Sequence, residues 1–363
     1  MVQHVGRALV FTSLALATFV FVFPARGQIG AEPIRIVFPF AAGGSGDVLA
    51  RLLAEHLRIT LNLPVIVENR TGAQGRLGVQ AVKAAAPDGK TLLLTSVAPM
   101  SIYQHVYKSL AYDPIADFEP LSAVATFDFA LAVGPQVPAR SLKELVDWVK
   151  ANPAQGSYGI PAAGSLPHFF GVLFAKAAGL DLRHVGYRGS AAALIDLIAG
   201  QIPILVTTTA DLLEQHKAAR IRVLATSDQQ RSPFLPNIPT FKEAGYDIVG
   251  TGWYGVFAPA KTPSETVEKL SAALMPASDH RTSRSACWPS ACTPLVRRAP
   301  SLEGFRRRIR NCGLLRSRHR ASRRSSEAQM LCGRGACPIG CFAGAVRLLE
   351  EARLGCGRRL NRL

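Results

Sequence analysis

IRIVFPFAAGGSGDVLARLL, residues 34–53, decides how the rest of the chain is read. Ile34–Phe38 is a short apolar run with the character of a strand. From Ser45 onward, apolar residues recur at helical spacing, with Val48, Leu49, Leu52, Leu53 and Leu57 expected on one face. Between the two lie Gly43, Gly44 and Gly46, which let the backbone turn sharply and approach a ligand closely. Ser45 is expected to cap the helix, and the amides beyond it to face outward with the positive end of the helix dipole. A strand, a glycine-rich turn and a helix start together make a place to hold an anion. This loop is not a P-loop, because no Lys-Ser/Thr follows the glycines, and the spacing of a dinucleotide-binding loop is absent.

Outward from that stretch, strands alternate with helices. Further strand-like runs are expected at 65–67, 91–95, 129–133, 157–160, 202–206 and 222–225. SLKELVDWVK (141–150) opens with a capping box, Ser141 with Glu144, and buries Leu142, Leu145, Val146 and Val149. GSAAALIDLIAG is a small apolar helix closed by Gly200. Such alternation argues for open α/β sheets. Two extended stretches, 124–133 and 249–260, read as crossovers between two α/β lobes with a ligand cleft between them.

The opening design recurs. Thr95 and Ser96 stand at the end of one strand, Ser165 caps a helix starting near Pro167, and Thr207, Thr208 and Thr209 end another strand before a helix. Each loop alone is ordinary capping; their repetition around one cleft suits a carboxylate, which hydroxyls and helix-start amides bind without a fixed charge. Ser165 and His168 stand three apart, but no acid partner or nucleophile elbow accompanies them, so no catalytic residue is expected. PDGKT at 87–91 is a turn rather than a nucleotide site, since Ala84 stands where a glycine would be needed and a strand follows. No cofactor and no metal are expected, because the body offers no cysteine and no histidine pair at ligand spacing.

The charge of this 363-residue chain is uneven. Residues 276–363 hold 19 arginines, no lysine and 5 acidic residues, a net +14, against +3 for the other 275. All seven cysteines lie in that tail, from Cys287 to Cys356. Its lack of periodicity reads as a shifted coding frame beginning near residue 275, so the tail is expected to be aberrant and disordered, with nucleic acid not an expected partner. At the other end, His4 and Arg7 precede an uncharged run from Ala8 to Phe23, broken by Pro24. Residues 1–27 read as a signal peptide cut after Gly27 and imply the periplasm.

Many segments in order, among them LPVIVENRTGAQGRLGVQAVKAAAPDGKTLLL, YDPIADFEPLSAVA, HVGYRGSAAALIDLIAGQIPI and GWYGVFAPAKTP, resemble the Bug receptors, the periplasmic solute-binding proteins of tripartite tricarboxylate transporters. The likeness runs from about residue 32 to about 275. It implies a type II periplasmic binding fold, with residues 28–125 and 250–275 as one lobe and 126–249 as the other. It implies a monomeric, non-enzymatic receptor that hands a small organic carboxylate to membrane transporter subunits. Carried over, the ligand site comprises Phe40, Ala42, Gly43, Gly44, Ser45, Asp47, Thr95, Ser96, Gly164, Ser165 and His168, joined by Thr207 and Thr208. Receptors of this family that bind amino acids often carry an Asp where this chain has Thr207–Thr209, which favours a di- or tricarboxylate or an aromatic acid here. An α/β enzyme, or a sensor presenting the solute to a signalling partner, are the alternatives.

Overall fold

The computed structural model describes residues 32–275 and the two-residue strand Thr293–Pro294. The signal-peptide expectation and the remainder of the tail lie outside the described residues. Chain order begins with β1 (Ile34–Phe38), α1 (Ser45–Leu61), β2 (Val65–Asn69), α2 (Arg76–Lys83), β3 (Thr91–Ser96) and α3 (Tyr103–Val106). A long strand, β4 (Phe118–Val133), then leads into α4 (Leu142–Ala151), β5 (Ser157–Ile160), α5 (Leu166–Ala178), β6 (Arg183–Gly186), α6 (Ser190–Ile198), β7 (Ile204–Thr208), α7 (Thr209–Lys217) and β8 (Arg222–Thr226). Then β9 (Thr251–Pro259) and α8 (Ser264–Leu274) follow, with β10 at Thr293–Pro294.

The topology is two-lobed α/β. In one sheet the order is β2-β1-β3-β9-β4, with β1, β2 and β3 parallel and β9 antiparallel to β3 and β4. In the other it is β6-β5-β7-β4-β8, with β5, β6 and β7 parallel and β4 antiparallel to β7 and β8. Each lobe therefore has three parallel strands, one reversed strand and a final strand. β4 serves both: its residues 118–128 pair with β9, and 129–133 pair with β7 and β8. β10 adds to β4 at Thr126 and Ala125.

Local chemistry explains most elements. α4 opens as expected, with the Glu144 amide donating to Ser141 Oγ at 3.2 Å; the Glu144 carboxylate accepts from the Arg140 amide, one residue before the cap. Leu142, Leu145, Val146 and Val149 are buried. PDGKT is a turn, with Gly89 at φ +81° and Thr91 opening β3. Two expectations need correction, and one strand was not expected. In α1, Leu49, Leu53 and Leu57 are buried with Ala50 and Ala54, while Val48 and Leu52 are exposed; the helix turns a narrower stripe inward, and two alanines fill what two larger side chains were assigned. β6 carries no apolar run and is exposed throughout, so periodicity had nothing to register. β7 starts at Ile204, two residues late, because Gly200–Pro203 complete the turn from α6.

The two lobes share one apolar core. Phe127, Phe129 and Phe170 stack edge-to-face in series, with Phe127–Phe129 centroids 5.2 Å and Phe129–Phe170 centroids 5.3 Å apart. Tyr254 of β9 lies 4.6 Å from Phe127. These rings join the β1–α1 side to the Tyr158–Phe174 side across the shared strands.

Candidate functional site

Four helices begin on one cleft. The residues that precede α1, α5, α6 and α7, namely Gly44, Ser165, Gly189 and Thr208, all line it. Val97, which precedes the π-helical turn Ala98–Ile102 after β3, lines it too. None of these five caps its helix with a side-chain hydrogen bond. A helix start carries roughly half a positive charge; no lysine or arginine lines the cleft, and the first amide of α1, that of Ser45, is met by a carboxylate of this chain, Asp211 Oδ1, at 2.7 Å.

The expected caps are used differently. Ser45 is the first residue of α1 rather than its cap, and its hydroxyl meets Thr208 Oγ1 at 3.2 Å across the cleft. Ser165 precedes α5 but donates its hydroxyl to the Ala162 carbonyl at 2.7 Å. Its partner is therefore not His168, whose Nδ1 accepts from the Gly164 amide at 3.2 Å. That bond requires an unprotonated Nδ1, and burial together with the neighbouring His184 holds the imidazole down at about 4.

Asp47 is buried and saturated. It accepts from the Gly43 amide (3.1 Å), from Arg51 (3.0 and 3.2 Å) and from Asn69 (2.8 Å). Burial alone would raise its carboxyl, but these donors outweigh it and hold the group below the usual carboxylate range. Asp47 thus braces the β1–α1 loop, and the Gly43 amide is committed to it. Thr95 is fully buried behind the strand end, while Ser96, the next residue, points into the cleft; alternation along β3 separates them.

The candidates that line the cleft are Phe40, Gly44, Ser96, Ser165 and Thr208, with Ser45 bonded across it. Gly43, Asp47, Gly164, His168 and Thr207 make hydrogen bonds within or beside these loops, Thr95 is buried outside the lining, and Ala42 is exposed. Sequence reasoning missed the aromatic wall, Phe38, Phe127, Phe129 and Tyr254. Part of its signal was present in the crossovers, where Phe127 and Phe129 alternate in the first and Trp253, Tyr254 and Phe257 cluster in the second. Gly189 and Ser190 were also missed as site residues. The closed cleft leaves a cavity volume of about 70 Å³.

Asp211 was missed as well, and it corrects an expectation. Thr207–Thr209 contain no acid, yet Asp211 brings a carboxylate to the same hydroxyls. Its Oδ2 accepts from Thr208 at 2.6 Å and lies 3.2 Å from Thr207 Oγ1; its Oδ1 accepts from the Ser45 amide at 2.7 Å. Other bonds across the cleft run from the Ala41 amide to the Arg188 carbonyl (3.0 Å) and from the Tyr107 hydroxyl to the Ala163 carbonyl (3.1 Å). The lobes are closed on each other. Among the described residues no cluster of three or more His, Cys, Asp or Glu side chains is placed to hold a metal ion.

The family model for the tripartite tricarboxylate transporter family receptor matches residues 49–287. The chain is 31% identical to protein BugT of Bordetella pertussis over 306 residues, which cover 84% of this chain and 94% of BugT. Among solved structures, it is similar to the periplasmic binding protein BugD, with 31% identity, a TM-score of 0.73, and 78% of this chain and 94% of BugD covered. It is also similar to MatC from Rhodopseudomonas palustris, solved with bound malate, with 26% identity, a TM-score of 0.72, and 77% and 96% covered.

Proposed function

The chain belongs to the receptor family of tripartite tricarboxylate transporters, and from that premise we propose that it captures a small organic acid in the periplasm and delivers it to the transporter's membrane subunits. The observation that carries this reading is the convergence of four helix starts, none capped by the side chain of the residue before it, on one cleft between two lobes. Amides and hydroxyls arranged this way favour a carboxylate over a cation or a neutral sugar. The aromatic wall of Phe38, Phe127, Phe129 and Tyr254 suits the carbon skeleton behind that carboxylate. Malate in MatC is a precedent for the ligand class.

In this reading the ligand-contacting residues are Phe40, Gly44, Ser45, Ser96, Ser165 and Thr208. The other candidates hold the loops in shape. Residues 28–125 and 250–275 act as one lobe and 126–249 as the other, in a monomer exported through residues 1–27. Binding without turnover is supported by the partners of Ser165 and His168, which bond to Ala162 and Gly164 rather than to each other. The arginine-rich tail belongs to a shifted frame; resequencing around the codon for Met275 tests that directly.

Calorimetric titration of the purified full chain with malate, citrate and benzoate tests the receptor reading. Saturable binding of at least one acid, recovered unchanged, is the expected result; no binding of any, or consumption of one, would overturn it. Gly44→Val is expected to weaken that binding at least about tenfold, because its methyls would enter the cleft where a Cβ already comes within 3.6 Å of Asp211 Oδ1. Gly44 has an ordinary extended backbone (φ −88°, ψ 170°), so the fold should tolerate valine there. Unchanged affinity in the folded variant would remove the α1 start from the site.

A further inference from the structure

We propose that Asp211 is a specificity-determining residue: a tethered carboxylate that sits on the anion seat at the start of α1, ties the two lobes together across the cleft and competes with the carboxylate of an incoming acid. The inference rests on the receptor reading for its ligand class, but its geometry stands apart from it. Asp211 lies at the third position of α7, in the second lobe, and Ser45 opens α1 in the first. Its Oδ1 accepts from the Ser45 amide at 2.7 Å, a bond between residues 166 positions apart. Its Oδ2 accepts from Thr208 at 2.6 Å, and Thr208 Oγ1 in turn meets Ser45 Oγ at 3.2 Å. One carboxylate thus ties the starts of α1 and α7 together.

The chemistry is that of a ligand carboxylate. Both oxygens are used, one by a helix-start amide and one by hydroxyls, and no ion pair among the described residues includes Asp211. Asp47 makes the contrast. It is the same residue type at the same position of its helix, yet it is buried within its own lobe and neutralised by Arg51. Asp211, by comparison, is half-buried, uncompensated by a cation and directed across the cleft. An amide that donates to Asp211 is not available to a ligand, and two carboxylates on one seat repel. A free acid must therefore displace Asp211 from α1, and the penalty grows with the charge the acid brings to that end. The residue sets how much negative charge the cleft accepts.

Small-angle scattering and calorimetry on the full chain test this with Asp211→Ala and Asp211→Asn. Without ligand, Asp211→Ala is expected to show a larger radius of gyration than the wild type at unchanged helical content by circular dichroism. Asp211→Asn keeps an acceptor for the Ser45 amide without the charge and is expected to stay near the wild-type radius. With malate and citrate as probes, both variants are expected to bind about tenfold more tightly than the wild type, the size of one charge-assisted hydrogen bond, with the larger gain for citrate. An unchanged radius in folded Asp211→Ala would overturn the inference, as would equal or weaker binding of a probe that the wild type binds. If neither probe binds any of the three proteins, the scattering result decides the inference alone, and the malate-type ligand class of the receptor reading fails separately.

Discussion

In the loop leaving β1, Gly43 turns at φ +93° and its amide donates to the side chain four residues on, Asp47; in the loop leaving β5, Gly164 turns at φ +78° and its amide donates to the side chain four residues on, His168. Both loops end in a helix start that lines the cleft. The backbone device is the same and the acceptor differs: an anion backed by Arg51 and Asn69 in one lobe, a neutral imidazole against His184 in the other. The difference teaches that Asp47 and His168, which look like ligand residues in the sequence, each hold the amide of a glycine in their own loop. Each fixes a left-handed glycine so that the next residues can face the cleft. It also gives the two lobes opposite sensitivity to charge.

The comparison breaks or sharpens under substitution. The largest expected effect is Asp47→Ala, which removes a buried carboxylate from the donors of Gly43, Arg51 and Asn69 and should cost about 2–3 kcal/mol in urea unfolding, against about 1 kcal/mol for His168→Ala. Equal costs would mean that the anion adds nothing to the brace.

The glycines come next. A Cβ at either left-handed position should cost roughly 1–2 kcal/mol. Gly164→Ala should exceed Gly43→Ala, because its Cβ would meet Val106 Cγ1 at 3.1 Å while that of Gly43 meets Ala191 Cβ at an ordinary 3.5 Å. Thermal midpoints of the two variants rank them, and the reverse order would remove the tighter packing of the second loop.

The smallest effect concerns pH. Burial and the neighbouring His184 hold His168 down at about 4, so the folded state binds fewer protons there than the unfolded state, whose imidazole titrates near its ordinary value. Its contribution is present above pH 6.5 and is lost as pH falls toward 4, about 1 kcal/mol by pH 5 once partial exposure is allowed for. His168→Gln should flatten that limb of the stability profile, and an identical profile in variant and wild type would show that the ring titrates freely.

Much of this architecture was legible in the amino-acid sequence because it is local. The run Ile34–Phe38 followed by glycines and an apolar stripe is a strand, a turn and a helix wherever it folds, and Ser141 with Glu144 opens α4 through a bond three residues long. The crossovers were visible as extended stretches, and the family resemblance followed from segment order. The same local logic failed where a side chain had two available partners. Ser45 and Ser165 sit where caps sit, yet one hydroxyl turns to Thr208 and the other to Ala162.

The sequence by itself determined the α/β alternation, the positions of the helix starts and the hydroxyl-rich character of the loops after the strands. Tertiary structure alone decided which of those groups face one another. β4 is shared between two sheets, and that sharing brings Phe127 and Phe129 beneath the β1 loop and carries the start of α7 to the start of α1. Asp211 reads in sequence as an ordinary first-turn acid, favourable to its own helix dipole. Only closure of the lobes sets it 2.7 Å from the Ser45 amide. The physical reason is range: periodicity and capping act over three or four residues, whereas the cleft is made by bonds between residues 56 to 166 positions apart.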